Sequence, residues 1–306
     1  MITRRAFIRI SCLFPLALQL EAKEIQEHTV EVRDVLMGTF VQIKGVGAEK
    51  EMLSGAVSYM KQLERHFTRF NKESELSLFN REGVIRRPSR EFRTVMEMAR
   101  EGYSRTRGAF DVTVLPVLMH FEKYRQIPTE AEKSRYRERM GADQIAIYRD
   151  VIYSAKQVQV TLDGIAKGYI IDLGVAHLME SGCLHTLVNI GGDMYCGEKK
   201  KGWDVGIYDP FRDSISRKLH MEKMAVCTSG SYVNYYTEDK KLHHIVDPVD
   251  LSSPNHVVSV TVAASTACRA DLLSTALFVT GPQGKEFLQG RERAYFITKD
   301  GKEIAV

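Results

Sequence analysis

The sequence predicts an α+β fold in which mostly antiparallel sheets pack against helices. Short segments that alternate apolar and polar residues recur along the chain, and they do not alternate strictly with helical patterns. A parallel doubly wound sheet would require that alternation, so an antiparallel arrangement is favoured. No repeat, linker or low-complexity tract follows residue 25, and we therefore expect one folded unit over residues 23–306.

The N-terminal part of this unit predicts a strand pair followed by two amphipathic helices. Alternation of apolar and polar residues is typical of half-buried strands, and apolar residues three or four positions apart are typical of helices. The predicted elements are strands in TVEVRDV and TFVQIKG around a turn at Met37-Gly38, a helix over residues 52–67, and a helix over residues 92–103 that stops at Gly108.

The rest of the chain predicts more strands than helices. Thr129 and Glu132 form a capping box after Pro128, which predicts a short polar helix at the surface. Two apolar helices are expected, one after Gly164 and one around Asp271. The predicted strands are QVQVTLD, TLVNIGG, WDVGIYD and HVVSVTVAA, and the chain closes with a hairpin around Asp300-Gly301.

Residues 1–22 have the pattern of an export signal. Arg4 and Arg5 precede a short apolar run, and the paired arginines favour the twin-arginine route. An apolar run of about ten residues is too short to cross a bilayer as a helix, which disfavours a membrane anchor. We expect cleavage near Ala22 and a periplasmic or extracytoplasmic location. The alternative is attachment to the inner membrane through an uncleaved signal.

The net charge bears on the class of partner, and the cysteine content bears on disulfide bonds. The formal net charge is +4, and no dense Lys/Arg block is present, so nucleic acid is not an expected partner. Cysteines scattered along a chain of this length are more often small buried hydrophobes than a disulfide framework, although one disulfide is the alternative. The cysteines that would remain after cleavage are Cys183, Cys196, Cys227 and Cys268, and none lies in a CxxC pair.

The segment TLDGIAKGY, residues 161–169, runs from a predicted strand into a predicted helix. Free backbone N–H groups at a helix N-terminus, preceded by small residues, form a seat for phosphate or another anion. The segment has neither P-loop nor Rossmann spacing. Taken alone, such a pattern is more often an ordinary turn than a binding site.

Asp271 and Thr275 lie four residues apart on the predicted helix ADLLSTAL. That spacing puts the carboxylate and the hydroxyl on one helix face, while the leucines face the core. Two hard oxygens suit Mg²⁺, which completes its shell with water and substrate phosphates. The alternative is structural: the Asp271 carboxylate would be stabilised by the helix dipole in a first turn, and the Thr275 hydroxyl would bond its own backbone.

His243 and His244 are adjacent in a segment interpreted as a strand, so their side chains are expected on opposite faces and one of them can join a given site. Histidine is suited to act as a general base near neutral pH, and the alternative is a surface pair. The segments NIGGD, residues 189–193, and TSGSY, residues 228–232, offer small donors at strand ends.

In this order, these segments resemble the ApbE-type family of FAD:protein FMN transferases, formerly labelled thiamine-biosynthesis lipoproteins. The resemblance implies a catalytic domain of that type over residues 23–306. It extends from about Val30 to Phe296 through Met37-Gly38-Thr39, Phe70 before SELSLFN, GAFDVT, GIAKGYIID, NIGGD, WDVGIYDP, TSGSY, HHIVDP and ADLLSTALFV.

The resemblance implies roles for individual residues. It assigns the metal to the side chains of Asp271 and Thr275 and to the backbone carbonyl of Gly164. His244, rather than His243, matches the family histidine and is the candidate base, so His244 and Asp271 are the candidate catalytic residues. The positions that match FAD contacts are Met37, Phe70, Ala109, Phe110, Asp111, Thr161, Lys167 and Ile245.

The chain also departs from the family pattern. Thr161 stands where the family often has Asp, and Asp163 stands where it often has Gly. Which of the two makes the polar contact to FAD stays open. Ser231 replaces the usual acidic residue after TSG, and a twin-arginine signal replaces the lipoprotein cysteine.

The implied reaction is a Mg²⁺-dependent attack by a threonine hydroxyl of an acceptor protein on the FMN phosphorus of FAD. It releases AMP and leaves FMN linked to the acceptor. The expected acceptor is a subunit of a membrane-associated redox complex or an exported reductase. The alternatives are a Mg²⁺-dependent FAD pyrophosphatase that gives FMN and AMP, and a non-catalytic exported FAD-binding protein.

Overall fold

A computed structural model of the chain describes residues 28–154 and 158–306. The export signal predicted at residues 1–22 lies outside these ranges, so it stays a prediction. None of the helices within the two ranges combines the length and the apolar character that crossing a membrane requires.

Strands and helices are mixed along the described chain. The strands are β1 (Thr29–Leu36), β2 (Thr39–Val46), β3 (Val84–Arg86), β4 (Ile145–Ile147), β5 (Val151–Ser154), β6 (Thr186–Ile190), β7 (Asp193–Cys196), β8 (Trp203–Asp209), β9 (Ser214–Met221), β10 (Met224–Gly230), β11 (Val257–Ala264), β12 (Arg293–Thr298) and β13 (Glu303–Ala305). The helices are α1 (Lys50–Phe67), α2 (Glu75–Glu82), α3 (Arg90–Arg105), α4 (Leu115–Tyr124), α5 (Glu130–Arg137), α6 (Ala166–Glu180) and α7 (Ala267–Thr280), with short 3₁₀ segments at Val112–Val114, Ala142–Gln144 and Gly281–Phe287.

The central sheet has the strand order β1-β2-β6-β7-β10-β11-β12-β13, and each neighbouring pair is antiparallel. A three-stranded sheet, β3-β5-β4, and a two-stranded sheet, β8-β9, are also antiparallel. The predicted α+β class with mostly antiparallel sheets is confirmed.

The central sheet is covered on both faces. Helices α1, α6 and α7 pack against it and against one another, and they enclose the main apolar core. The β8-β9 ribbon contributes Trp203, Val205 and Ile207 to a second cluster with residues of β6, β10, β11 and β12. Because both faces are covered, β11 is buried along nearly its whole length, including Ser259 and Thr261.

Most of the predicted elements are confirmed. The first strand pair turns at Met37 and Gly38, which have φ of 50° and 73°. The Thr129–Glu132 capping box opens α5, which has no buried residue. Helix α7 ends at Gly281, and the last hairpin joins β12 to β13 around the predicted turn. The four described cysteines are buried and free, as expected of small hydrophobes.

The strand predicted in QVQVTLD is wrong for the described residues 158–162, and Gln157 lies outside them. The amide of Asn80 bonds both backbone groups of Val160, accepting from N–H at 2.7 Å and donating to C=O at 2.8 Å. The N–H of Thr161 donates to Val112 O at 2.8 Å. Because these groups satisfy the buried backbone, the segment needs no neighbouring strand.

Three local expectations also need correction. The helix predicted up to Gly108 ends at Arg105, and Gly108 follows in a left-handed conformation with φ of 85°. The segment with the two histidines is not a strand; His243 forms one isolated bridge with Tyr235. Asp271 lies in the second turn of α7 rather than the first, because Thr266 caps that helix.

The contact between α6 and α7 depends on Gly168. A Cβ at this position would overlap the carbonyl oxygen of Ala267 and lie 2.7 Å from the Cα of Cys268. Only a residue without a side chain lets the first turn of α6 meet the backbone at the start of α7.

Asp172 joins the same two helices through hydrogen bonds. Its carboxylate accepts the backbone N–H groups of Ala267 at 2.7 Å and Cys268 at 2.9 Å. These are donors that the first turn of α7 leaves without an intrahelical partner. Burial raises the pKa of Asp172 to about 6, and the two hydrogen bonds limit the rise. The carboxylate therefore fixes the N-terminus of α7 against α6.

We expect Gly168→Ala to lower the free energy of unfolding by at least about 2 kcal/mol, because neither backbone can yield at this contact. The measurement is urea denaturation followed by circular dichroism. Gly55→Ala is the matched control in α1, where an added Cβ would meet only His177 Nε2 at 3.8 Å. It should raise stability by about 0.5–1 kcal/mol. Equal effects of the two substitutions would contradict the prediction.

We expect Asp172→Ala to lower the free energy of unfolding by about 2 kcal/mol at pH 7, because two helix-terminal N–H groups lose their acceptor. Asp172→Asn keeps an acceptor oxygen for one of the two N–H groups and turns its NH₂ group towards the other, so it should cost about 1 kcal/mol, less than Asp172→Ala. Thermal and urea unfolding of both variants test this difference. A loss as large for Asn as for Ala would mean that the charge, not the acceptor, is what matters.

Candidate active site

The candidate site lies where α6 and α7 begin, beside the first residue of β7 and the end of β10. Asp271 projects from the second turn of α7, and its Oδ2 accepts the backbone N–H of Gly168 in α6 at 3.0 Å. Its exposed fraction is 5%. The two segments that the sequence picked out, around Gly164 and Asp271, are therefore in direct contact.

Lys167 is paired with a carboxylate that sequence reasoning did not assign to the site. Its Nζ lies 2.6 Å from Oδ2 of Asp193. The other oxygen of Asp193 accepts the backbone N–H of Thr228 at 2.9 Å, and the exposed fraction of Asp193 is 2%. The NIGGD and TSGSY segments thus meet at Asp193, and this carboxylate holds the Lys167 ammonium.

The charges at this point are strongly coupled. Burial and the neighbouring carboxylate of Asp193 raise the pKa of Asp271 to about 7, against the opposing effects of Lys167 and the Gly168 N–H. Burial acts to lower the pKa of Lys167, but the carboxylates of Asp193 and Asp271 outweigh it and raise that pKa above its ordinary value. Lys167 therefore stays cationic, while Asp271 has an ionised form that a further cation would stabilise.

Gly164, Thr275 and Phe110 meet at van der Waals distance. A Cβ on Gly164 would lie 2.9 Å from Oγ1 of Thr275 and 3.3 Å from the ring of Phe110. The hydroxyl of Thr275 is 3.3 Å from Oγ of Ser229, and Ser229 also bonds Ser274 at 2.8 Å. The close approach brings the backbone of Gly164 beside the same face of α7 that carries Asp271.

The residues present fit a Mg²⁺ ion. One carboxylate, one hydroxyl and one backbone carbonyl are hard oxygen donors, and Mg²⁺ uses few protein ligands when phosphates complete its shell. Among residues 28–154 and 158–306, Asp271 has a hydrogen-bond partner at Oδ2 and none at Oδ1. The same ranges contain no group of three or more His, Cys, Asp or Glu side chains suited to a metal ion. At Asp271, phosphate oxygens of a bound ligand would complete the shell of such an ion.

His244 has a defined tautomer. Its Nδ1 lies 3.0 Å from the backbone carbonyl oxygen of Asn234, which can only accept a hydrogen bond. Nδ1 therefore carries the proton, and Nε2 carries the lone pair. Burial lowers the pKa of His244 below its ordinary value, partly opposed by the Asn234 carbonyl and by Asp163. The ring is neutral at pH 7, and Nε2 is a proton acceptor.

His243 is turned into the core. Its Nε2 lies 2.9 Å from the carbonyl oxygen of Pro254, and its ring packs edge-on against Phe278. Its side chain is fully buried, and burial lowers its pKa to about 4. His243 is thus a core residue, and a role of His244 in a site stays a prediction.

The loop that precedes α6 is held by Arg69. The carboxylate of Asp163 lies 3.7 Å from Nε of Arg69, whose guanidinium also pairs with Glu122. The hydroxyl of Thr161 accepts the N–H of Asp163 at 3.4 Å. Thr161 thus stabilises the turn locally, while the Asp163 side chain is half exposed and directed at Arg69.

Phe70 lies beside the same arginine. The Arg69 guanidinium is 4.5 Å from the ring centroid of Phe70, and Phe70 is 78% exposed.

The other predicted FAD contacts surround these segments. Phe110 and Ile245 are buried, and Ala109 is partly exposed. Oδ1 of Asp111 accepts both N–H and O–H of Thr113, at 2.9 and 2.7 Å, so this carboxylate caps a 3₁₀ turn. Burial raises the pKa of Asp111 to about 6. Met37 lies in the β1-β2 turn, next to Thr39, which contacts Gly191.

The sequence did not predict a role for two carboxylates of the site region, those of Asp193 and Asp172. Asp193 ends the NIGGD segment and Asp172 ends GIAKGYIID, so membership in these segments was the available signal. The partner of Asp172 lies in α7, 95 residues away, and no local pattern shows that contact.

A model of the ApbE family matches residues 37–297. The chain is 28% identical over 293 residues to the FAD:protein FMN transferase of Haemophilus influenzae, with 87% of this chain and 85% of the relative covered. It is 30% identical over 288 residues to the enzyme of the same name from Vibrio cholerae, with 87% and 86% covered.

Solved structures agree with these similarities. The ApbE protein of Thermotoga maritima superposes with a TM-score of 0.81 at 25% identity, over 90% of this chain and 96% of that one. The flavinyl transferase ApbE of Pseudomonas stutzeri gives 0.81 at 26% identity, over 93% and 96%. Sequence and fold thus lead to the same assignment, and the chain belongs to the ApbE family.

Proposed function

We propose that this protein transfers FMN from FAD to a threonine hydroxyl of an acceptor protein, in a Mg²⁺-dependent reaction that releases AMP. The observation that carries the proposal is the meeting of Gly164, Asp271 and Thr275 beside the cationic Lys167. Relatives named FAD:protein FMN transferase, which match most of the chain, support flavin transfer as the reaction class.

The pyrophosphate of FAD would lie at the N-terminus of α6. The dipole of α6 and the Lys167 ammonium supply positive potential for the phosphates. Met37, Phe70 and the Ala109–Asp111 segment would contact the flavin and adenine ends, with Thr161 and Ile245 nearby. The exposed ring of Phe70 suits a group that closes on a ligand surface, because a 78% exposed aromatic side chain gains from burial.

Asp271, Thr275 and the carbonyl of Gly164 would hold a Mg²⁺ ion against the phosphates. When bound, this ion withdraws charge from the pyrophosphate oxygens and stabilises the charge that develops on them. Lys167 contributes a fixed positive charge to the same region, since Asp193 holds it in place.

His244 would accept the proton of the attacking hydroxyl at Nε2. The hydroxyl oxygen forms a bond to the FMN phosphorus, the bond from that phosphorus to the bridging oxygen breaks, and AMP leaves with that oxygen. The Asn234 carbonyl keeps the proton of the neutral ring on Nδ1 and stabilises the imidazolium that forms. His244 thus needs no proton relay to begin the reaction.

The acceptor is proposed to be a protein exposed to the same compartment. The export pattern of residues 1–22 supports a periplasmic or extracytoplasmic location, with retention at the inner membrane if the signal is uncleaved. A flavin-carrying subunit of a membrane-associated redox complex, or an exported reductase, fits that location.

The decisive experiment incubates the purified protein with FAD and Mg²⁺, with and without a candidate acceptor domain. Mass spectrometry of the acceptor measures the added FMN, and chromatography measures AMP and free FMN. Flavinylated acceptor with an equal amount of AMP is the expected result. Free FMN and AMP in the presence of acceptor would instead identify a pyrophosphatase, and intact FAD without AMP would identify a binding protein.

We expect Asp271→Asn to lower FMN transfer at least about 100-fold, because the amide is a poor ligand for Mg²⁺. The asparagine can still accept the Gly168 N–H, so the contact between α6 and α7 is kept. Rates of acceptor labelling over a Mg²⁺ titration measure the effect. Asp271→Ala should abolish transfer as well, with the fold retained.

Glu292→Gln is the matched control for Asp271→Asn, since Glu292 pairs with Arg269 of the same helix and does not contact the site. It should change transfer by less than about a factor of three, as expected for a substitution away from the chemistry. Undiminished labelling by Asp271→Asn would refute the metal assignment.

We expect His244→Ala to lower transfer about 10²–10⁴-fold, the range for loss of a general base. For the original protein, the rate should fall as pH decreases through a pKa below 6.5, because protonation of Nε2 removes the lone pair. The acid limb should disappear in His244→Ala. Rates measured between pH 5 and 8 test both effects, at saturating FAD and at saturating Mg²⁺, which stabilises the ionised form of Asp271. An unchanged acid limb in the variant would exclude His244 as the titrating base.

A further inference from the structure

Asp193 is a buried carboxylate to which the proposed reaction gives no direct part. It lies at the first position of β7, its exposed fraction is 2%, and both of its oxygens are occupied. One accepts the Thr228 N–H at 2.9 Å, and the other lies 2.6 Å from Nζ of Lys167. No proposed substrate atom needs this carboxylate, so its effect on the site acts through Lys167.

The carboxylate of Asp271 also interacts electrostatically with the Lys167 ammonium. Lys167 directly precedes Gly168, whose N–H donates to Asp271, and the charge of Asp271 acts on the ammonium. Yet among the ion pairs of residues 28–154 and 158–306, Lys167 pairs with Asp193, and Asp271 takes part in none. The structure therefore separates two carboxylates that compete for the same ammonium.

The competition matters because Asp271 has one free oxygen. A lysine side chain is long and flexible, and a buried ammonium that loses one carboxylate moves towards another or loses its charge. With Asp193 neutral, Asp271 is the remaining buried carboxylate that acts on Lys167. An ammonium bonded to Asp271 would occupy the position that a divalent cation needs.

We infer that Asp193 is a positioning residue: it holds the Lys167 ammonium away from Asp271 and so leaves Asp271 open to a divalent cation. The inference rests on the proposed function, in which Asp271 is a metal ligand. It predicts that the Asp193 carboxylate controls metal affinity without touching the metal.

The test measures binding of Mn²⁺ to the purified protein in the presence of saturating FAD by isothermal titration calorimetry, with Mn²⁺ as the probe for the divalent site and the FAD phosphates available to complete its shell. Asp193→Asn keeps an acceptor for the Thr228 N–H and removes the charge. We expect it to weaken Mn²⁺ binding roughly 10- to 100-fold, the range found when a group behind a metal ligand is lost. Mn²⁺ affinity equal to that of the original protein would overturn the inference.

The double variant Asp193→Asn/Lys167→Met separates positioning from other roles of the carboxylate. It removes both charges of the pair, and it leaves neither a buried unpaired ammonium nor a competitor for Asp271. We expect its Mn²⁺ affinity to return to near that of the original protein. Affinity as weak as in Asp193→Asn alone would overturn the inference, since Asp193 would then act on the metal by itself. The double variant also provides the test if the single variant does not fold.

Glu292→Gln is the control for loss of a partly buried ion pair on α7, and its Mn²⁺ affinity should be unchanged. FMN transfer gives a second readout. In Asp193→Asn the Mg²⁺ concentration for half-maximal rate should rise by the same factor as the Mn²⁺ dissociation constant. A lower maximal rate without that rise would overturn the positioning role.

Failure of the proposed function has a different signature. If the original protein binds no Mn²⁺ in the presence or absence of FAD, the metal assignment to Asp271 fails, and the role of Asp193 falls with it. If the original protein binds Mn²⁺ and transfers FMN while Asp193→Asn binds equally well, only the inference about Asp193 fails.

Discussion

The contact between the first turns of α6 and α7 is the constraint on which the site depends. Gly168 lets the two backbones meet, and the Asp172 carboxylate of α6 accepts two backbone N–H groups at the start of α7. Both helices also pack on the central sheet, so their ends are placed relative to β7 and β10. A displacement of this contact would separate Asp271 from Gly168 and from the loop at Gly164. The chemistry is therefore held by packing between elements rather than by any one motif.

The same arrangement solves an electrostatic problem. Two carboxylates, Asp193 and Asp271, and one ammonium, Lys167, lie together in a region of low solvent exposure. Burying such charges is unfavourable unless each has a partner. Asp193 is neutralised by Lys167 and a backbone donor, while Asp271 has one backbone donor and a raised pKa. The carboxylate proposed to bind a cation is thus the one that has a described partner at Oδ2 and none at Oδ1.

The two adjacent histidines show how environment separates identical side chains. His243 is enclosed by Phe278 and the Pro254 carbonyl, and its role is packing. His244 is partly exposed, with its tautomer set by Asn234. Sequence reasoning expected one functional histidine but assigned both to a strand. The separation comes from an irregular segment in which His243 and Asp247 each form one isolated bridge, and geometry of this kind is not visible as a periodic pattern.

The sequence by itself determined the fold class, most strands and helices, and the segments that carry the site, because these follow from local periodicity, caps and ordered motifs. Helix geometry and the four-residue spacing place Asp271 and Thr275 on one face, while their assignment to a metal came from the family resemblance. Only the tertiary structure decided that Val160 satisfies its backbone through Asn80, and Thr161 through Val112, instead of through a neighbouring strand. Only it paired Asp193 with Lys167 and Asp172 with α7, because these contacts join residues that are far apart in the chain and that no local pattern relates.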